Sequence, residues 1–164
     1  MTEYFPNFSI RMIIGAVFLV VLYFGFPVSH AMAENADPII GFWNTPDKDA
    51  QFEIYKCGSL YCGKIVKLEE PNYPMTDKRM PGRPQVDRNN PDPSLRHRPL
   101  LGLPLIIGFH YEGDNSWKGH IYNPDDGKIY NCKLSLDEEN RLKVRGYIGI
   151  PLLGKTQVWT RSAQ

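Results

Sequence analysis

Charge of one sign is what this sequence most plainly lacks: 19 lysines and arginines stand against 18 acids, a formal net charge of +1. That balance gives no electrostatic reason to expect a nucleic-acid partner, and it lends no support to a general membrane-surface role. Histidine and cysteine are scarce, with four and three copies. The cysteines form no Cys-x-x-Cys pair, and His110 and His120 have no acid at ligand spacing, so no metal and no cofactor is expected. Ser94 and Ser116 lie outside any nucleophile-elbow context. Helix-length periodicity and solenoid-length repeats are also missing, which excludes bundles and repeat arrays.

What the chain does have is proline and glycine, 14 of each, as many short strands joined by turns require. Its 164 residues bound it to one modest domain. One long apolar run, Met12 to Phe26, follows a head whose side-chain cation is Arg11, and Ala31, Met32 and Ala33 fit a small-residue cleavage pattern. The run is shorter than the roughly 20 residues of a spanning helix, and Pro27 interrupts it. Residues 1–33 are therefore expected to be a signal peptide cut after Ala33. Residues 34–164 would then be a single periplasmic domain without a stable membrane span, the rival being an uncleaved anchor.

From Ile39 onward the apolar period is two. Strands are predicted over Ile39–Asn44, Ala50–Cys57, Tyr61–Leu68, Pro104–Tyr111, Trp117–Tyr122, Ile129–Leu136, Leu142–Ile148 and Lys155–Arg161. Eight consecutive strands with mostly short connections predict an all-β, antiparallel up-and-down barrel. The exception is Glu69 to Pro99, between the third and fourth strands, with seven prolines, many charges and no period. It is expected to be an ordered functional loop or a flexible flap.

An exported chain meets oxidising conditions, where disulfides persist. Cys57 and Cys62 flank a four-residue hairpin loop and are predicted to be bridged across the two strands. The loop-entropy estimate makes such a bridge worth about 2 kcal/mol. Cys132 alternates with Tyr130, Leu134 and Leu136 on an apolar face, as a buried inert thiol would.

In a closed barrel the first and last strands are neighbours, so Trp43 and the Trp159 to Arg161 segment become one unit, with the arginine stacked on an indole. Gly41-x-Trp43 together with Arg161 is similar to the signature of the lipocalins and their calycin relatives, in which the arginine packs over the tryptophan at the closed end. From about Asp37 to Arg161 the chain resembles more closely an uncharacterised bacterial exported family, domain of unknown function 2147. The motifs that carry this are Gly41-x-Trp43; Cys62-Gly63-Lys64-Ile65; Asp87-x-Asn89-Asn90-Pro91; Arg98-Pro99-Leu100-Leu101-Gly102; Tyr122-Asn123-Pro124-Asp125-Asp126-Gly127-Lys128; Arg145-Gly146-Tyr147; and Gly154-x-Thr156-Gln157-x-Trp159-x-Arg161. The resemblance implies a lipocalin-like fold and export. It brings no catalytic residues with it.

Alternate loops of a meander fall at alternate ends, so the mouth opposite the Trp43 plug collects Thr45 to Asp49, the proline-rich segment, Asn123 to Lys128 and Ile150 to Gly154. The candidate ligand site is there: Asp87, Arg96, His97, Arg98 and Asp125, with an apolar lip of Ile150, Leu152 and Leu153. The basic run could hold an anionic head group while the lining takes an apolar tail. Asp87, Asn89, Asn90 and Asp92 are read as Asx turns, since Pro91 breaks the alternation a calcium loop needs. Asp125 and Asp126 are read as a plain turn. The leading expectation is a non-enzymatic periplasmic protein binding a small, partly apolar ligand within the barrel. The alternative is an envelope interaction module, its lumen filled by Phe52, Trp117 and Tyr130, acting on an envelope protein through the proline-rich loop. An enzyme ranks third.

Overall fold

A computed structural model describes residues 37–138 and 140–162; the expected leader, residues 1–33, lies outside them. The described chain is a closed barrel of eight antiparallel strands in sequence order: β1 Gly41–Asn44, β2 Ala50–Cys57, β3 Leu60–Leu68, β4 Pro104–Gly113, β5 Ser116–Asn123, β6 Lys128–Glu138, β7 Arg141–Tyr147 and β8 Lys155–Ser162. Every pairing closes between residues 41 and 162, so the sheet needs nothing outside that range to be complete. The predicted strands hold to within two residues at each end. Short 3-10 turns at Asp37–Ile39, Pro93–Leu95 and Pro151–Leu153 are added. The first replaces the expected start of β1, because proline fixes φ near the helical value and Trp43 Nε1 donates to the Ile39 carbonyl at 2.8 Å. Among the described residues no helix is long and apolar enough to cross a membrane.

Closure occurs where the sequence indicated. Trp43 is opposite Arg161 in the β1–β8 register, and the guanidinium carbon lies 4.3 Å over the indole. Arg161 also donates to the carbonyls of Ile40, at 3.1 Å, and Pro38. The Cys57–Cys62 disulfide is formed at the β2–β3 hairpin, and Cys132 is a buried free thiol pushed up to about 12 by desolvation.

The lumen is occupied by the protein's own side chains. Trp43, Ile54, Ile106, Phe109, Trp117, Cys132, Leu134 and Leu142 retain no accessible surface. Phe52 stacks on Trp159 at 4.4 Å, and Tyr61 meets Trp117 edge-on at 6.3 Å. Room for these large groups comes from interior glycines. A Cβ on Gly63 would lie 2.8 Å from Ile106, and one on Gly119 would lie 2.6 Å from the Phe109 ring. A barrel of eight strands is narrow enough to be filled in this way, and each large side chain fully buried is worth about 1.5–3 kcal/mol.

Candidate functional site

The proline-rich segment is an ordered flap with a small core of its own. Two isolated bridges, Asn72 with Pro84 and Val86 with Pro99, fold it back on itself. Backbone bonds Tyr73 N to Arg83 O, Gln85 N to Pro71 O and Leu100 N to Gln85 O, at 2.8–3.0 Å, satisfy donors that proline-rich chain would otherwise leave to water. Tyr73 is the buried centre: its hydroxyl donates to the Val86 carbonyl at 2.9 Å, and Arg88 stacks 4.1 Å above its ring. Arg88 also reaches Asp77 at 2.7 Å. That bond, reinforced by the Met80 and Arg79 amides, holds the Asp77 carboxyl down at about 2.

One buried carboxylate fastens the flap to the barrel. Asp87 has no accessible surface. Its Oδ1 accepts from the Tyr122 hydroxyl of β5 at 2.5 Å, and its Oδ2 accepts from Asn90 Nδ2 and Arg98 Nη2, both at 2.7 Å. Asn90 Nδ2 donates also to the Tyr122 oxygen at 3.0 Å, which closes a ring of bonds among Asp87, Asn90 and Tyr122, while the buried Arg98 Nε is left without a partner. Burial, and then the bond to Asp87, pushes the Tyr122 phenol up to about 12. Beside this clamp, Asn89 Nδ2 donates to the carbonyls of Pro124 and Asp125 at 3.2 and 2.9 Å. The flap backbone lies so close to the β5–β6 turn there that a Cβ on Gly127 would fall 2.1 Å from the Asn89 carbonyl oxygen.

A family model described as an uncharacterized protein conserved in bacteria, DUF2147, matches residues 41–161, the whole of this barrel with its flap. The chain belongs to DUF2147. Among solved structures, the lipocalin-family protein HP1028 from Helicobacter pylori is similar, with a TM-score of 0.63 at 22% identity over 76% of this chain and 82% of that one. At that identity the likeness establishes a lipocalin-like fold. No curated protein matches the sequence.

The DUF2147 barrel brings some of the sequence candidates together and separates others. Asp87 and Arg98 meet in the clamp. Arg96 turns back on its own loop, donating from Nε to the Asn90 carbonyl at 2.7 Å, and His97 points into solvent. Asp125 is exposed and touches the flap through its carbonyl. Ile150, Leu152 and Leu153 belong to a surface turn held by Arg145, away from the clamp. The three basic residues in sequence thus take three directions and form no anion cradle. Tyr122, Asn90, Tyr73 and Arg88 were missed as site residues, although Tyr122 and Asn90 stood in recognised motifs. A carboxylate engaged by three donors positions the flap and is not free to take a proton from a substrate.

Two concavities stand out among the described residues. One, of about 170 Å³, lies between flap and turn and is lined by Tyr73, Gln85, Arg88, Asn89, Leu100 and Asp125 among others. The other, of about 370 Å³, is at the closed end by Asp37, Ile40, Leu136 and Arg161. Neither enters the lumen.

Proposed function

We propose that this DUF2147 chain is a non-enzymatic binding module of the bacterial envelope that works at its surface, with the clamped flap as the contact region for an envelope protein. The observation that carries this is the filled lumen: the large side chains that could have lined a ligand cup occupy it instead. Of the three large residues expected to fill the barrel, Phe52 and Trp117 are buried in it, whereas Tyr130 is only partly buried and turns its hydroxyl to Asp126 at the surface. Export is supported by the apolar segment with its cleavage pattern and by the Cys57–Cys62 bridge, which persists in an oxidising compartment.

A lipocalin-like fold can also hold small molecules, and the cleft of about 170 Å³ under the flap is where one of a few heavy atoms would fit, between Arg88 and Asp125. Photo-crosslinking in the native host, from the exposed flap position Met75 and from the exposed control Thr160 on β8, separates these readings when combined with native mass spectrometry. A discrete protein adduct from Met75 and not from Thr160 is expected, with the unlinked protein at its bare mass. Identical labelling at both positions, or a small molecule lost only on denaturation, would refute the flap reading.

A further inference from the structure

The outer face of β5, β6 and β7 carries a feature that neither the flap nor the lumen explains. Lys118 is opposite Lys133 in the β5–β6 register, and Lys133 is opposite Arg145 in the β6–β7 register. Adjacent strands are about 4.8 Å apart, so three cations stand in a row spanning about 10 Å. Like charges placed directly opposite one another weaken a sheet. Neither lysine has an acidic partner among the described residues. At its margins Asp137 pairs with Lys143 at 3.0 Å, and Glu112 lies 3.7 Å from His110 Nε2.

An apolar patch adjoins this row, and Arg145 belongs to both. Its Nε and Nη2 donate to the Pro151 and Leu152 carbonyls at 2.7 and 3.1 Å, and its Nη1 reaches Thr156 Oγ1 at 2.6 Å. Those bonds fold the Pro151–Leu153 turn down beside Tyr147, which it helps to bury. The side chains of the turn face outward: Ile148, Leu152 and Leu153 are 71, 81 and 77% exposed. Ile129, on the same face of β6 as Lys133, is exposed as well.

We propose that this face, the cationic row with the apolar turn beside it, docks onto an anionic phospholipid surface. The lysines match the phosphates of the headgroups, while the aliphatic side chains enter the acyl boundary, as interfacial anchors do. Arg145 holds the turn in place beforehand, so little ordering is lost on docking. A protein partner fits less well. Protein hot spots favour tryptophan, tyrosine and arginine seated in pockets, whereas these residues are isoleucine and leucine on a projecting turn that borders neither concavity.

The test is flotation of the barrel unit, Ala33–Gln164, with vesicles of phosphatidylcholine alone and of phosphatidylcholine mixed with phosphatidylglycerol. The apolar run Met12–Phe26 is left out because it would bind lipid by itself, and the sheet closes without it. Binding is expected to the anionic vesicles and to weaken as salt is raised. Lys118→Gln and Lys133→Gln should each lower it about five-fold. Leu152→Ser with Leu153→Ser should lower binding to the anionic vesicles at least ten-fold. All four sites lie outside the core, and unchanged near-ultraviolet circular dichroism would confirm that the variants fold. No flotation with anionic vesicles, or flotation indifferent to both pairs of substitutions, overturns the proposal. So would capture of a discrete acidic protein that needs the two lysines while the vesicles stay bare.

Discussion

Replacing Asp87 with alanine should release the flap while leaving the barrel standing. The substitution orphans the Tyr122 hydroxyl and half of the Asn90 amide inside the protein, while Arg98, with 41% of its side chain exposed, can turn to water. A buried donor left unpaired costs about 1–3 kcal/mol. Two such donors, with the exposed arginine discounted, come to about 3–4 kcal/mol. Tyr122→Phe removes one donor and leaves Asp87 its other two, so it should cost about 1 kcal/mol. Both losses should fall on flap opening first, since the barrel strands pair without the flap. Native-state hydrogen exchange reads this directly. The amides of Tyr73, Gln85, Asp87 and Leu100, all hydrogen-bonded within the flap, should exchange a few hundred-fold faster in Asp87→Ala. The amides of β6 and β7 should change far less. If flap and barrel amides accelerate equally, or if neither moves, the clamp is not what holds the flap.

Acid should loosen the same flap from another point. The folded pKa of Asp77 is about 2, below its ordinary 3.8, so its contribution is intact above pH 4 and disappears as pH falls towards 2; exchange of flap amides should rise in that window and stay flat in Asp77→Asn. At the basic end the shift of Tyr122 is upward, to about 12. Its neutral form is the favoured one, so stability should fall between about pH 10 and 12, by less in Tyr122→Phe, as urea titrations would report. Reducing the Cys57–Cys62 bridge should cost about 2 kcal/mol in a urea titration, while Cys132 stays unreactive to thiol reagents in the folded chain because its thiol is buried and its pKa is raised. Gly119→Ala should cost about 1–3 kcal/mol in a thermal melt, since the new Cβ meets the Phe109 ring.

The barrel was legible because one face of each strand is buried and alternation reports it. The second strand, Ala50–Cys57, was placed to the residue, with Phe52 and Ile54 inside and Glu53 between them. The flap was not legible, because its core is one tyrosine under an arginine and its order comes from backbone bonds that leave no periodic trace. Asp87 and Tyr122 are 35 positions apart, and nothing local announces that one accepts from the other. Arg96, His97 and Arg98 look alike in a row but separate because a non-helical, non-strand backbone gives each its own direction. A net charge of +1 concealed the row of Lys118, Lys133 and Arg145, since a sum is blind to segregation. The register that aligns them follows from the short β5–β6 turn, which pairs Asn123 with Lys128.

Closure through β1 and β8 also sets an order of events in the life of the chain. Asn44 cannot find Thr160, nor Trp43 its cover by Arg161, until β8 has been made. Up to that moment β1 is an open edge, and so is whichever strand has most recently formed, each with unpaired amides and carbonyls that other chains could satisfy. Folding as the chain emerges is therefore confined to hairpins, and the barrel is completed only afterwards, once both ends are present. A chain that stops before β8 would be expected to accumulate as aggregate, which gives the eight residues of that strand, Lys155–Ser162, a weight in solubility out of proportion to their number.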